Sequence, residues 1–148
     1  MWHRLGGSAW GRWWFAQLVR FAVPYTGSLG ARVTSLEPGR ATATLRERRA
    51  VRQHLGAVHA IALANLAELA SGLAMLSALE PGTRGIVTSL TMSYHKKARG
   101  LLTATGTAAP PPVTVTTEAL AHAEVRDTAG DVVAEATVTW RLDRRTGG

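Results

Sequence analysis

Glu68 is the one charged residue between Val58 and Leu79, a stretch otherwise made mostly of Ala and Leu. Asn65, Glu68 and Ser71 follow one another at steps of three, and Gly72 lies four beyond Glu68. On a helix these positions share one side. An ionised carboxylate in apolar surroundings needs a partner, or a cleft that admits water. Burial also raises its pKa toward neutrality, which suits a general base. The competing readings are a glutamate at the wet edge of the helix and one held in a structural hydrogen bond.

A second cluster precedes the helix. Gln53-His54-Leu55-Gly56-Ala57-Val58-His59-Ala60 places Gly56 three residues before His59, which opens the helix. A helix start leaves N–H groups free, and these attract an anion or a developing oxyanion. His59 and Glu68 are nine residues apart, about 13.5 Å along a straight helix axis. They also point about half a turn away from each other. One chain cannot bring them together. A site that uses both is shared between two chains or spans a long substrate.

The flanking pattern supplies the scaffold. Val58–Leu79 reads as one long helix, apolar nearly all round and therefore buried nearly all round. Glu80-Pro81-Gly82 ends it. Before it, Ser28–Leu36 and Arg40–Glu47 read as strands joined by Glu37-Pro38-Gly39, a hairpin signal. After it, Arg84–Lys97, Leu101–Ala109, about Thr117–Asp127 and Asp131–Leu142 read as strands rich in Thr, Val and Ala. Arg99-Gly100, Pro110-Pro111-Pro112 and Thr128-Ala129-Gly130 separate them. Runs of strands around a single helix indicate an α+β fold with one curled antiparallel sheet. Such a sheet leaves part of the helix uncovered, which predicts at least a dimer. Ahead of this domain, over residues 25–142, residues 1–24 hold Trp2, Trp10, Trp13 and Trp14 and predict an extra N-terminal helix, Ser8–Val23, stopped by Pro24. Residues 143–148 read as a frayed, disordered tail.

The chain has 148 residues, enough for one domain. With no cysteine it has no disulfide framework, no cysteine nucleophile and no cysteine-ligated metal. Its histidines are scattered and suggest no metal site. Fifteen of its seventeen basic residues are arginine, and the net charge is +7. That balance favours anionic partners, or reflects only a coding bias toward Arg. The tryptophans are not interleaved with basic residues on strands, so nucleic acid is not an expected partner. A membrane surface, met through the N-terminal tryptophans, is a minor alternative. Asn65, Glu68, Ser71 and Ser77 interrupt the longest apolar stretch, which argues against a membrane span and for a soluble, cytoplasmic protein.

Gln53, Gly56, His59, Ala60 and Ile61, followed by Asn65-Leu66-Ala67-Glu68, resemble the motif of the hotdog-fold thioesterases. That motif reads Asn-x-x-Gly-x-x-His-Gly-Gly and then Leu-Ala-Glu or Leu-Ala-Asp. The best match is the DUF4442-like group, related to the phenylacetate-pathway type of acyl-CoA thioesterase. Tyr94-His95-Lys96-Lys97-Ala98-Arg99-Gly100 and Val138-Thr139-Trp140 resemble the same group, and the likeness covers roughly residues 28–142.

The resemblance implies a hotdog fold and a composite site at a homodimer or homotetramer interface. Glu68 would be the base or nucleophile for thioester hydrolysis. The Ala60 N–H of the other chain would polarise the carbonyl, beside His59 and Asn65. Gln53, Gly56, Ile61, Ser71 and Gly72 would line the substrate. Lys96, Lys97 and Arg99 would meet the phosphates of coenzyme A, which enters as part of an acyl-CoA or is replaced by an acyl carrier protein. No separate cofactor is implied. The chain departs from the motif at Ala60-Ile61, where the family has Gly-Gly, and at Gln53, where it has Asn. The alternative function is a non-catalytic hotdog protein that binds an acyl thioester or lipid.

Overall fold

The computed structural model describes residues 29–146; the Trp-rich helix expected over 8–23 lies outside them. Six strands form one antiparallel sheet: β1 (Arg32–Glu37), β2 (Arg40–Arg46), β3 (Thr83–Tyr94), β4 (Leu101–Ala108), β5 (Thr117–Arg126) and β6 (Val132–Arg144). Their order is β1-β2-β4-β5-β6-β3. A 19-residue helix, α1 (Ala60–Ala78), lies in the concave face. This is the hotdog architecture. The strand boundaries expected from sequence hold to within a few residues, except at the C-terminus. There Asp143 and Arg144 are not frayed but pair with Arg84 and Thr83 at the end of β6.

Alternation explains why the sheet can hold the helix. β5 turns Ala119, Ala121, Ala123 and Val125 inward and its charged residues outward. β2 and β4 likewise present Ala41, Ala43, Leu45, Leu102 and Ala104. A lining this small lets the axis of α1 approach closely, and Leu63, Leu66 and Met75 fill the space. Contact is tightest at Gly106 of β4, where a Cβ would stand 2.2 Å from the Ala70 carbonyl carbon and oxygen.

α1 has the length and apolarity of a membrane span, but here the sheet covers most of it. One flank stays open. Ile61 and Leu76 of α1 are 56% and 52% exposed. Facing them is the inner side of β3, which ends the sheet and has no strand beyond it among the described residues. A bulge between Val87 and Ser89 inserts Thr88 and flips the alternation. As a result Leu90 and Tyr94 join Val87 on the inner side, at 40% and 46% exposure. An apolar cleft therefore runs between α1 and β3.

Candidate active site

The start of α1 is built by a loop that folds back on itself. Gln53 N–H donates to the Ala57 carbonyl (2.8 Å), and Gly56 N–H to the Gln53 carbonyl (3.1 Å). Gly56 has φ +74°, a left-handed value that explains a glycine here. The Gln53 side-chain oxygen accepts from Leu55 N–H, which leaves its amide N–H₂ for other acceptors. Val58 N–H donates to the Ala98 carbonyl (2.9 Å) and His59 N–H to the Val51 carbonyl (2.7 Å), tying the loop to both flanks. Arg49–Val51 forms a single 3-10 turn that the sequence pattern does not reveal.

His59 is the N-cap of α1. Its Nδ1 accepts from Ile61 N–H at 3.0 Å. This fixes the ring as an acceptor at Nδ1 and uses one of the orphan donors of the helix start. Ala60, at the first helical position, has no acceptor for its N–H within the helix. Tyr94 reaches across from β3, and its Oη–H donates to the Ala60 carbonyl at 2.9 Å. Desolvation raises the Tyr94 pKa. Beside this turn lies a cavity of about 310 Å³ that brings together Gln53, Ala60, Tyr94, His95, Lys96 and Lys97.

Glu68 lies elsewhere, about two turns along α1. It is half-buried and makes no ion pair or side-chain hydrogen bond among the described residues. Burial alone pushes its pKa above the ordinary carboxylate value. The structure thus keeps Glu68 and the helix start apart within one chain, as their spacing requires. Asn65 is buried one turn before Glu68. Gly72 is buried one turn after it, with Glu68 Oε1 3.9 Å from where its Cβ would stand.

Two expectations for substrate contact change. Ser71 is completely buried, and its hydroxyl donates to the Glu68 carbonyl (3.2 Å). The side chain turns back on its own helix and offers nothing to a ligand. Lys96 is held between Asp127 (2.7 Å) and Asp131 (2.8 Å) at the β5–β6 turn, and the two carboxylates raise its pKa. Its charge is neutralised where it stands. Lys97 is exposed and unpaired among the described residues, and Arg99 is exposed on the following turn. Ahead of the site the chain carries a basic run, Arg46-Glu47-Arg48-Arg49-x-x-Arg52, in which Glu47 accepts from Gly100 N–H (2.6 Å) and Arg52 Nε–H (2.9 Å), which lower its pKa.

Two residues of the site carry no catalytic signature in sequence. Tyr94 reads as a strand residue, and only the bulge at Thr88 turns it toward α1. Trp140 reads as a core aromatic. It is 5% exposed on β6, packed between Gly72 of α1 and Gly85 of β3, and its Nε1 is buried with no partner among the described residues.

The fold matches known structures. A protein solved by structural genomics is 30% identical, superposes with a TM-score of 0.80, and is covered over 88% of each chain. A thioesterase from Haemophilus influenzae is 17% identical, with a TM-score of 0.78 and 90% of each chain covered. A Pseudomonas aeruginosa protein of unknown function, described as a probable thioesterase, is 22% identical, with a TM-score of 0.79 over 88% of this chain and 93% of its own. No curated protein matches at the sequence level. The family model of a domain of unknown function, DUF4442, matches residues 11–142, and the chain belongs to that family.

Proposed function

We propose that the protein hydrolyses an acyl thioester, carried by coenzyme A or by an acyl carrier protein, in a site completed by a second copy of the chain. One observation carries this reading. A single carboxylate, half-buried and without a protein partner among the described residues, stands midway along an apolar helix beside an apolar cleft. Such a group is ready to take a proton. The thioesterase descriptions of the similar structures support the same chemistry.

In this mechanism the acyl chain occupies the cleft between α1 and β3. Ionised Glu68 takes a proton from water as the water oxygen attacks the thioester carbonyl. The negative oxygen that forms is met by the Ala60 N–H at the helix start of the other chain. Collapse breaks the carbon–sulfur bond, and the thiolate leaves with the proton from Glu68. Attack by Glu68 itself, through a mixed anhydride that water then opens, gives the same products. Gln53 and His59 border the carbonyl site, and Lys97 and Arg99 meet the phosphates of the carrier.

A specific observation favours a second reading, an acyl-thioester binder without turnover. The Ile61 N–H is spent on His59, and the exposed Ile61 side chain stands where the family motif has glycine. Of the two N–H groups at the positions of the family's Gly-Gly pair, only that of Ala60 is left for an oxyanion. Thiol release over a panel of short, long and aromatic acyl-CoAs separates the two readings. Turnover that Glu68→Gln abolishes establishes the hydrolase. Binding of the panel with no release by folded wild-type protein establishes the binder.

A further inference from the structure

Resting on the reading of Glu68 as the base, we propose that Trp140 is its positioning residue: the indole Nε1–H donates to the Glu68 carboxylate across a gap kept open by Gly72. Three observations meet at one point. A Cβ on Gly72 would stand 3.6 Å from Trp140 Cζ2 and 3.9 Å from Glu68 Oε1. Cζ2 is bonded to the ring carbon that carries Nε1, so the donor edge of the indole is the edge beside the gap. Nε1 is buried and has no acceptor among the described residues. Glu68 is an acceptor with no donor among them, one helical turn away on the same face. A buried donor and a half-buried acceptor, both unmatched, each carry a desolvation cost that a hydrogen bond between them removes.

Among the described residues the carboxylate meets no competing charge, and its polar neighbour on α1 is the Asn65 amide, one turn before it. α1 carries no other charged residue. The inner faces of β2, β4 and β5 carry Ala, Val, Leu and Gly106, and at the start of β5 Thr117, whose hydroxyl donates to the Val115 carbonyl (2.8 Å). On β6, Arg144 lies at the far strand end, with Nη1 3.5 Å from the Pro81 carbonyl. β3 carries two titratable groups: Arg84, exposed on the outer face at the far strand end, and Tyr94 on the inner face, committed to Ala60 at the helix start. The indole is held on both sides by missing side chains: a Cβ on Gly85 would stand 2.9 Å from Trp140 Cε3. The ring is therefore fixed, and the flexible Glu68 side chain makes the approach. With the N–H bond made, the ionised form is favoured, and the base stays available at lower pH.

The test is NMR of uniformly ¹⁵N-labelled wild-type protein between pH 4 and 8, with the Trp140 indole signal assigned through Trp140→Phe. The expected result is a Trp140 Nε1–H resonance that titrates with one midpoint and stops titrating in Glu68→Gln. A pH-independent resonance, or a titration that survives Glu68→Gln, overturns the pairing. Gly72→Ala is the companion variant, because its methyl meets only ordinary contacts and leaves the fold intact. It is expected to abolish the coupled titration. If thiol release is found, it also moves the acid limb of kcat up by about one unit, roughly tenfold less activity within the limb, with KM little changed. Thiol release without the coupled titration defeats the pairing alone. The coupled titration without thiol release leaves the pairing standing and defeats the hydrolase.

Discussion

Glu68 makes opposite demands on stability and on catalysis. Burial holds its folded-state pKa above the ordinary value of 4.5. Between the unfolded value and the raised one, the native state keeps a proton that the unfolded chain has lost, so stability falls as pH rises through that window. Glu68→Gln is therefore expected to melt at a higher temperature than wild type at pH 8, with the difference closing below pH 4.5. The same variant loses roughly 10²- to 10⁴-fold in kcat, the span of a general base. A glutamine that lowered Tm at pH 8 would show that the hydrogen bond to the carboxylate outweighs its desolvation. His59 separates differently. His59→Ala removes the cap on Ile61 N–H and is expected to cost about 1 kcal/mol in urea unfolding.

At the scale of elements, the closeness of α1 to the sheet places every site residue. Gly106 sets that distance, because its Cα side faces helix backbone rather than a side chain that could move. Gly106→Ala is expected to cost about 3 kcal/mol or more, or to prevent folding, as read by urea unfolding. Gly72→Ala, on α1, meets no clash, and its helix-propensity gain of about 0.5–1 kcal/mol is expected to offset the loss of the Trp140–Glu68 hydrogen bond, leaving urea unfolding little changed. The two glycines differ because a Cβ on Gly106 meets helix backbone, whereas one on Gly72 meets only side chains at ordinary distance. β3 makes its own contribution through the Thr88 bulge, which brings Tyr94 onto the first turn of α1.

For the whole molecule, the distance between Glu68 and the helix start is decisive. Ala60→Pro deletes the one N–H assigned to the oxyanion, at a position where proline suits a helix. His59 before it is already extended, at φ −63° and ψ 140°, as a residue before proline must be. Ala60→Pro and Glu68→Gln are each expected to be inactive. Mixing and refolding them together is expected to recover roughly a quarter of wild-type activity, because half the dimers are mixed and each mixed dimer has one intact site. No recovery would place both groups in one chain's site. Leu90→Arg, on the open inner side of β3, is expected to yield a monomer by light scattering and to lose activity with it.

Much of this protein is legible along the chain. Alternation in Ala41–Leu45 and Ala119–Val125 marks strands with an inner face of small residues, and the unbroken apolarity of Ala60–Ala78 demands a wrapped helix. A lone carboxylate in that helix is conspicuous because so little else there is polar. These features are local, repeating every two residues or every turn, and a sequence displays them directly. Other features depend on which strand lies beside which. Lys96 meets Asp127 and Asp131 only because β3 pairs with β6, next to β5. Ser71 turns inward because Gly106 lets the sheet close on that side of α1. Trp140 comes to Gly72 from a strand nearly seventy residues away. The elements followed from periodicity and the contacts from topology, because long-range neighbours are chosen by the closing of the sheet around the helix and leave no periodic mark on the chain.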